Sequence, residues 1–412
     1  MSSSLDADEA ADYLGVSKRT LYAYVSRGLL VSEPAAGRAR RYPLWSLDEL
    51  KGRRAERREP AAGALRWGTP VLESALTLID RGGLYYRGRD AVELSRSATF
   101  EEVASLLWTG ETEGAAELFT QRSRGRARGS LPRHSEGRAG GSLVERLIAC
   151  LVEERSRQPL SLSEPTRAAV RAAGATVAAL FEAAGARGRA TLADRLARGW
   201  RAVGAADDLR AALILCADHE LNASAFTARV VAATDAPLPN ALLAALCALE
   251  GRRHGGVTRE LADFLDEVER VGARPACERA LAQRGRVPGF WGGHPLYPHG
   301  DPRAAEVLRR LDLPARDAAA QAIAFMRGHG MEATVDLALA VLARRARLPR
   351  DGAFALFALG RSAGWIAHAL EAAASGNLIR PRARYVGPAP SRSIDTGGSH
   401  GVAVALRDTE AR

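Results

Sequence analysis

The sequence predicts a mainly α-helical protein in two globular parts. Three observations carry that expectation. Apolar residues make up 47% of a 412-residue chain rich in alanine and leucine, which suits packed helices and a sizeable core. Few stretches alternate apolar and polar residues as a half-buried strand does. Finally, the run Lys51-Gly-Arg-Arg-Ala-Glu-Arg-Arg58 leads into Pro60 and Gly63, a charged helix end followed by a linker at 59–65. It separates a small module, 1–58, from a larger region.

In the module, alanines and leucines interleave with Asp6, Asp8, Glu9 and Asp12 at helical spacing from Leu5 to Leu14, and Gly15 breaks the helix. Ser17 is a good N-cap for a second helix through Val25, which Gly28 ends. Leu21 and Val25 fall on its inner face, and Lys18, Arg19 and Tyr22 on its outer one. Ser46 and Glu49 form a capping-box pattern opening a further short helix. This is a helix-turn-helix pattern, and Gly15-Val-Ser-Lys-Arg-Thr-Leu-Tyr-Ala-Tyr24 with Gly28-Leu-Leu resembles the winged MerR-type and excisionase-type DNA-binding domains. The resemblance implies that the second helix enters the major groove. It also places Arg38, Arg40, Arg41 and Tyr42 in the wing, suited to phosphate and groove contacts. Ser17, Lys18, Arg19, Tyr22, Arg40 and Arg41 are the expected DNA-binding set. The alternative is a small helical domain that packs on the rest of the chain or helps it dimerise.

The larger region carries an ordered set of segments: Ile79-Asp-Arg-Gly-Gly-Leu-Tyr-Tyr-Arg-Gly88, Thr99-Phe-Glu-Glu-Val-Ala-Ser-Leu-Leu107, ADHELNAS with His219, GRRHGGV with His254, GFWGGHPLYPHGDPR with His294, ATVDLAL with Asp336, RSAGWIAH with Arg361, and LIRPRARYVGP with Arg380. In this order, and with the intervals His294 to Asp301 and Asp336 to Pro349, they resemble the citrate synthase family over residues 66–387. An Arg-, Gly- and Ser-rich insertion at about 120–141 reads as a mobile loop, and the tail 388–412 as disordered. The resemblance implies a two-domain, all-helical fold, with a large domain built from both ends of the region. A small one, about 256–348, would close a cleft over substrate.

Joining an acyl thioester's methyl carbon to a keto acid needs a base, donors for the enolate and ketone oxygens, and cations for the carboxylates. By resemblance, Asp336 is the base, His254 donates to the enolate oxygen and His294 polarises the ketone of oxaloacetate. His219 holds the keto acid, while Arg303, Arg361 and Arg380 clamp carboxylates. The residue matching Arg380 reaches the neighbouring subunit's site, so a homodimer is implied. Hydrolysis of the adduct then yields citrate and CoA. Acetyl-CoA is a substrate here, and neither a resident cofactor nor a metal is implied; His219-Glu220 lacks the second histidine of a zinc-protease helix.

The chain departs from the family pattern in places. Arg252 and Arg253 replace Pro-Leu, Thr258 replaces asparagine, the segment around Trp291 gains two residues, and Pro295 and Pro298 replace positions often basic. The arginine pair reads either as charge for CoA phosphates or as a solvated pair. The remaining histidines, His134, His299, His329, His368 and His400, read as structural or solvated, and Arg344, Arg345 and Arg347 as a solvated helix face. Net charge is +10, yet arginine is spread along the whole chain, so charge does not discriminate among partners. Cys150, Cys216, Cys247 and Cys277 lack CxxC spacing and read as reduced core residues of a cytoplasmic protein. No apolar run is expected to span a bilayer, and no signal peptide is evident. Two other activities stay open: a 2-methylcitrate synthase using propionyl-CoA, and a DNA-binding regulator whose enzyme-like domain senses a metabolite.

Overall fold

The computed structural model describes residues 4–26, 29–35, 40–44, 46–47, 50, 72–120, 141–157, 167–381, 383 and 385–387. The linker, the insertion (apart from residues 120 and 141), the tail, Gly28, Arg38 and Glu49 lie outside them. Two compact units divide the chain, Met1–Leu378 and Ile379–Arg412.

The N-terminal module comprises β1 (Ser4–Leu5), α1 (Ala7–Leu14), α2 (Lys18–Ser26), β2 (Glu33–Pro34) and β3 (Arg40–Pro43). Helix α1 starts later than the periodicity suggests, because Asp6 caps it: its carboxylate accepts from the backbone of Asp8 and Glu9, and Glu9 answers from Asp6 N–H. Gly15, at φ +60°, closes it in the left-handed region. The Ser17 hydroxyl accepts from Thr20 N–H at 3.2 Å, as an N-cap should. The strands pair in the order β1-β3-β2, so a β2–β3 hairpin follows the two helices. Leu14, Leu21, Leu30, Tyr42 and Leu47 form a core of the module's own. One expectation is corrected here. Tyr42 is fully buried in that core opposite Leu5 and is unavailable to a groove. Ser46 is also buried, and its hydroxyl accepts from Val31 N–H at 2.9 Å; its expected capping-box partner, Glu49, lies outside the described residues.

The larger region opens with an antiparallel sheet of β4 (Thr77–Asp80), β5 (Gly83–Tyr86) and β6 (Arg89–Asp90). Its tight turn sets Arg81 and Gly82 both at positive φ, the geometry a two-residue hairpin needs. Helices follow: α3 (Ala91–Ser97), α4 (Phe100–Thr109), α5 (Ala115–Thr120), α6 (Leu143–Arg157), α7 (Arg167–Ala184), α8 (Leu192–Gly199), α9 (Ala206–Leu215), α10 (Ala223–Ala232) and α11 (Leu238–Leu249). Then come α12 (Val257–Val271), α13 (Ala273–Arg284), β7 (Phe290–Trp291), α14 (Pro302–Leu311), α15 (Ala318–Arg327), β8 (Glu332–Ala333), α16 (Val335–Arg345) and α17 (Gly352–Ser375). Helices α12, α13, α15 and α16 pack together, with β7 paired to β8 among them.

Helix α17 is the axis of the core and packs against α4, α9, α10, α11 and α16. It is long and apolar enough to cross a membrane by length and composition, contrary to expectation, but its apolar stretch is wholly buried inside the protein. Glycines at four-residue spacing explain its position. A Cβ on Gly360 would lie 2.6 Å from Leu213 O, and one on Gly364 would lie 2.3 Å from Asp218 Oδ1. Only glycine lets α17 lie this close to the end of α9, and Arg361 is carried in with it. Cys216 and Cys277 are buried in the core and Cys150, half-buried, packs against it, whereas Cys247 is exposed near the end of α11 and departs from the expected core placement. Arg344 is not simply solvated either, since it pairs with Asp266 and Glu269 of α12.

Candidate active site

The segment leaving α9 is fixed first. Tyr86 is fully buried, with its hydroxyl 3.0 Å from Ile214 O and 3.2 Å from Leu215 O, adding a donor at the carbonyl end of α9. Asp218, also fully buried, accepts from Thr77 Oγ1 at 2.6 Å and lies 3.3 Å from His368 Nε2. Burial disfavours its charge, but His368, Arg361 and Thr77 prevail and hold its pKa below the ordinary carboxylate value. Glu220 accepts from Ile79 N–H at 3.2 Å. The β4–β5 hairpin thus clamps both neighbours of His219, whose Nε2 meets Tyr297 Oη at 2.9 Å.

His254 is placed by the same segment. Asn222 caps α10, accepting from Ser224 and Ala225 N–H, and its Oδ1 lies 3.3 Å from His254 Nε2. Ser224 Oγ lies 3.0 Å from His254 Nε2 and 2.7 Å from Asn222 Oδ1, and accepts from Trp365 Nε1–H at 3.0 Å. The indole can only donate, so the single Ser224 proton goes either to Asn222 or to His254. In the second arrangement His254 keeps its own proton on Nδ1, where it can donate. Burial, then Arg361 and Arg303, push the His254 pKa down to about 3, so the ring is neutral at ordinary pH.

His294 lies on the loop after β7, stacked on Tyr297 at 5.4 Å and edge-on to Trp291 at 4.7 Å. Its Nδ1 accepts from Leu296 N–H at 3.2 Å, which leaves the proton of the neutral ring on Nε2. Burial lowers its pKa as well, and that of His219 further. The β7–β8 pairing, continued by Thr334 N–H to Gly289 O at 2.9 Å, joins this loop to the start of α16. Asp336 stands in the first turn of α16, its Oδ1 shut off from solvent and without a hydrogen-bond partner among the described residues. Burial, aided by Asp301 and opposed by Arg303 and Arg361, raises its pKa to about 6.

Two buried guanidiniums complete the pocket. Arg303 is gripped in bidentate fashion by Asp301, its own helix cap, at 2.9 and 2.7 Å, and faces the Tyr297 ring at 5.6 Å. Arg361 donates from Nε to Cys216 O at 2.8 Å, while Nη2 is buried with no partner among the described residues. The pocket therefore holds three neutral imidazoles, one poorly solvated carboxylate and a buried donor lacking an acceptor. Such an arrangement suits an anionic, hydrogen-bonding guest.

Comparison with known proteins agrees. The family model for the citrate synthase C-terminal domain matches residues 64–382, and a helix-turn-helix domain model matches 4–55. The chain belongs to the citrate synthase family. It is 35% identical over 351 residues to a candidate citrate synthase 2 of Mycobacterium tuberculosis, covering 76% of this chain and 88% of that one. It is 28% identical over 371 residues to the 2-methylcitrate synthase of Shewanella oneidensis, covering 81% and 96%. Among solved structures, the citrate synthase of Thermotoga maritima aligns with a TM-score of 0.62 at 26% identity, over 79% of this chain and 96% of that one.

Six of the seven residues expected at the site, His219, His254, His294, Arg303, Asp336 and Arg361, belong to one unit and are joined by the contacts and mutual electrostatic effects above. Arg380 is exposed and belongs to the other unit, Ile379–Arg412. Sequence reasoning missed Asn222, Ser224, Tyr297 and Trp365. The first two stand inside the ADHELNAS segment, so their place three and five residues after His219 was the available signal. In the module, Arg19, Arg40 and Arg41 are exposed and Tyr22 is 51% exposed, while Lys18 forms an ion pair with Asp8 at 2.5 Å.

Proposed function

We propose that this chain condenses acetyl-CoA with oxaloacetate and water to give citrate and CoA. The carrying observation is Asp336: a carboxylate with a raised pKa and an unpartnered oxygen, in a pocket with neutral imidazoles, is a base kept poorly solvated for a carbon acid. Asp336 takes a proton from the thioester methyl group. The enolate oxygen receives a hydrogen bond from His254 Nδ1–H, with Ser224 donating to Nε2, and such a donor typically contributes about 10²–10³ in rate. The enolate carbon attacks the ketone carbon of oxaloacetate, and His294 Nε2–H supplies the proton that the new alkoxide needs. Water then cleaves the thioester, releasing CoA. Arg361 Nη2, Arg303 and His219 receive the oxaloacetate carboxylates, and Arg380 of a second subunit completes that clamp in a homodimer.

Propionyl-CoA is the competing acyl donor, because one methylene changes discrimination only about 10- to 200-fold in an apolar pocket and a 2-methylcitrate synthase is among the relatives. Assay of both thioesters in parallel, with mass identification of the product, tests the reading. A higher kcat/KM for acetyl-CoA and citrate as product support it; a higher value for propionyl-CoA replaces it.

The N-terminal module is proposed to bind duplex DNA, with α2 in the major groove and the β2–β3 hairpin on the backbone. The exposed face of Arg19 and Tyr22, with Arg40 and Arg41 on the hairpin, supports this. Lys18 must leave Asp8 to take part. Polarisation titrations with duplex DNA at several salt concentrations test it. Removing Arg41 should lower the slope of log affinity against log salt by about one, and a salt-independent signal would contradict the proposal.

A further inference from the structure

The turn that delivers His254 has an unusual electrostatic character. It spans Gly251 to His254, closed by His254 N–H to Gly251 O at 2.8 Å, with Arg252 and Arg253 at its corners. Both are exposed, and among the described residues neither guanidinium has an ion-pair partner. Arginines nearby in the sequence behave otherwise. Arg259 pairs with Glu250 and Asp351, and Arg284 and Arg286 share Glu260. Two adjacent like charges repel each other, so an unneutralised pair beside the pocket is poised for a polyanion.

Geometry says which polyanion. A thioester carbonyl held at His254 must send the remainder of its carrier out of the pocket. The groups packed around His254, Ser224, Phe357 and Arg361, are buried. Gly251, Arg252 and Arg253 are the exposed residues contiguous with His254. We propose that Arg252 and Arg253 form the anion subsite for the phosphates of the acyl-CoA, acting through charge-assisted hydrogen bonds. This rests on the condensing function proposed above.

Calorimetric binding to the full-length protein, with oxaloacetate present, tests it without turnover. The probes are CoA and pantetheine, which lacks every phosphate. The proteins are wild type, R252A/R253A, and R284A/R286A as a control that removes the same charge from a pair already bound to Glu260. The double variant at the turn should lose roughly 10- to 100-fold in CoA affinity while its affinity for pantetheine stays within about twofold, and the control should bind CoA like wild type. The dependence of CoA affinity on salt should also become shallower in R252A/R253A. Unchanged CoA affinity in that variant, or an equal loss for CoA and pantetheine, would overturn the assignment while leaving the condensing function standing. A wild-type protein that does not bind CoA would remove both.

Discussion

Burial at Asp336 works for chemistry and against stability. Because its pKa is raised to about 6 by burial, the folded protein holds a proton there more tightly than the unfolded chain does. The resulting penalty is fully present above pH 6 and disappears as pH falls below the ordinary carboxylate value. Asp336→Asn should therefore be inactive yet more stable at pH 8, by up to about 3 kcal/mol, with the gain shrinking toward pH 4. Denaturant titrations at the two pH values check this, and an equal gain at both would contradict it. The same shift predicts an acid limb in kcat/KM with an apparent pKa near 6, and a profile flat down to pH 5 would exclude Asp336 as the base. Ser224→Ala should cost activity through His254 and about 1–3 kcal/mol of stability, since the Trp365 indole N–H loses its acceptor in the core. Ser224 was hard to pick out in the sequence because its role depends on the one proton it shares between Asn222 and His254. Histidines and carboxylates in ordered motifs carry their chemistry in their identity.

Among the elements, α17 shows where sequence patterns inform and where they stop. Its apolar length reads as a buried helix or as a membrane span, and only its packing among the surrounding helices separates the two. The glycines at 360 and 364 become meaningful once the backbone they approach is known. Gly364→Ala would press a methyl group into Asp218, so it should destabilise the fold by about 1–3 kcal/mol and raise KM for oxaloacetate by displacing His219. Thermal unfolding and a KM-versus-kcat comparison would read both effects, and a wild-type KM would show that Asp218 does not position its neighbour. Helix α1 was legible to within two residues, and the error has a cause: Leu5 is apolar at the right phase but pairs with Tyr42 in a strand. Tyr42 was misplaced for the complementary reason, since a tyrosine beside two arginines suits both a wing and a core.

For the whole molecule, the family and most of the pocket were readable because the chemistry requires particular residue types in a fixed order. Arg380 belongs to the separate unit Ile379–Arg412, and its proposed work is done in another subunit. A mixing experiment isolates it. Subunits carrying Arg380→Ala lack the arm, and those carrying Asp336→Ala lack the base, so only mixed dimers hold one intact site. Reassorted mixtures of the two inactive variants should recover about a quarter of wild-type activity, whereas no recovery would place Arg380 outside the partner's site. The central claim, that this pocket condenses an acyl thioester with a keto acid through Asp336, is tested most directly by oxaloacetate-dependent release of CoA thiol from acetyl-CoA. Wild type should turn over, and folded Asp336→Ala should fall by at least about 10³-fold. Turnover surviving in that variant, or absent from folded wild type, would contradict it.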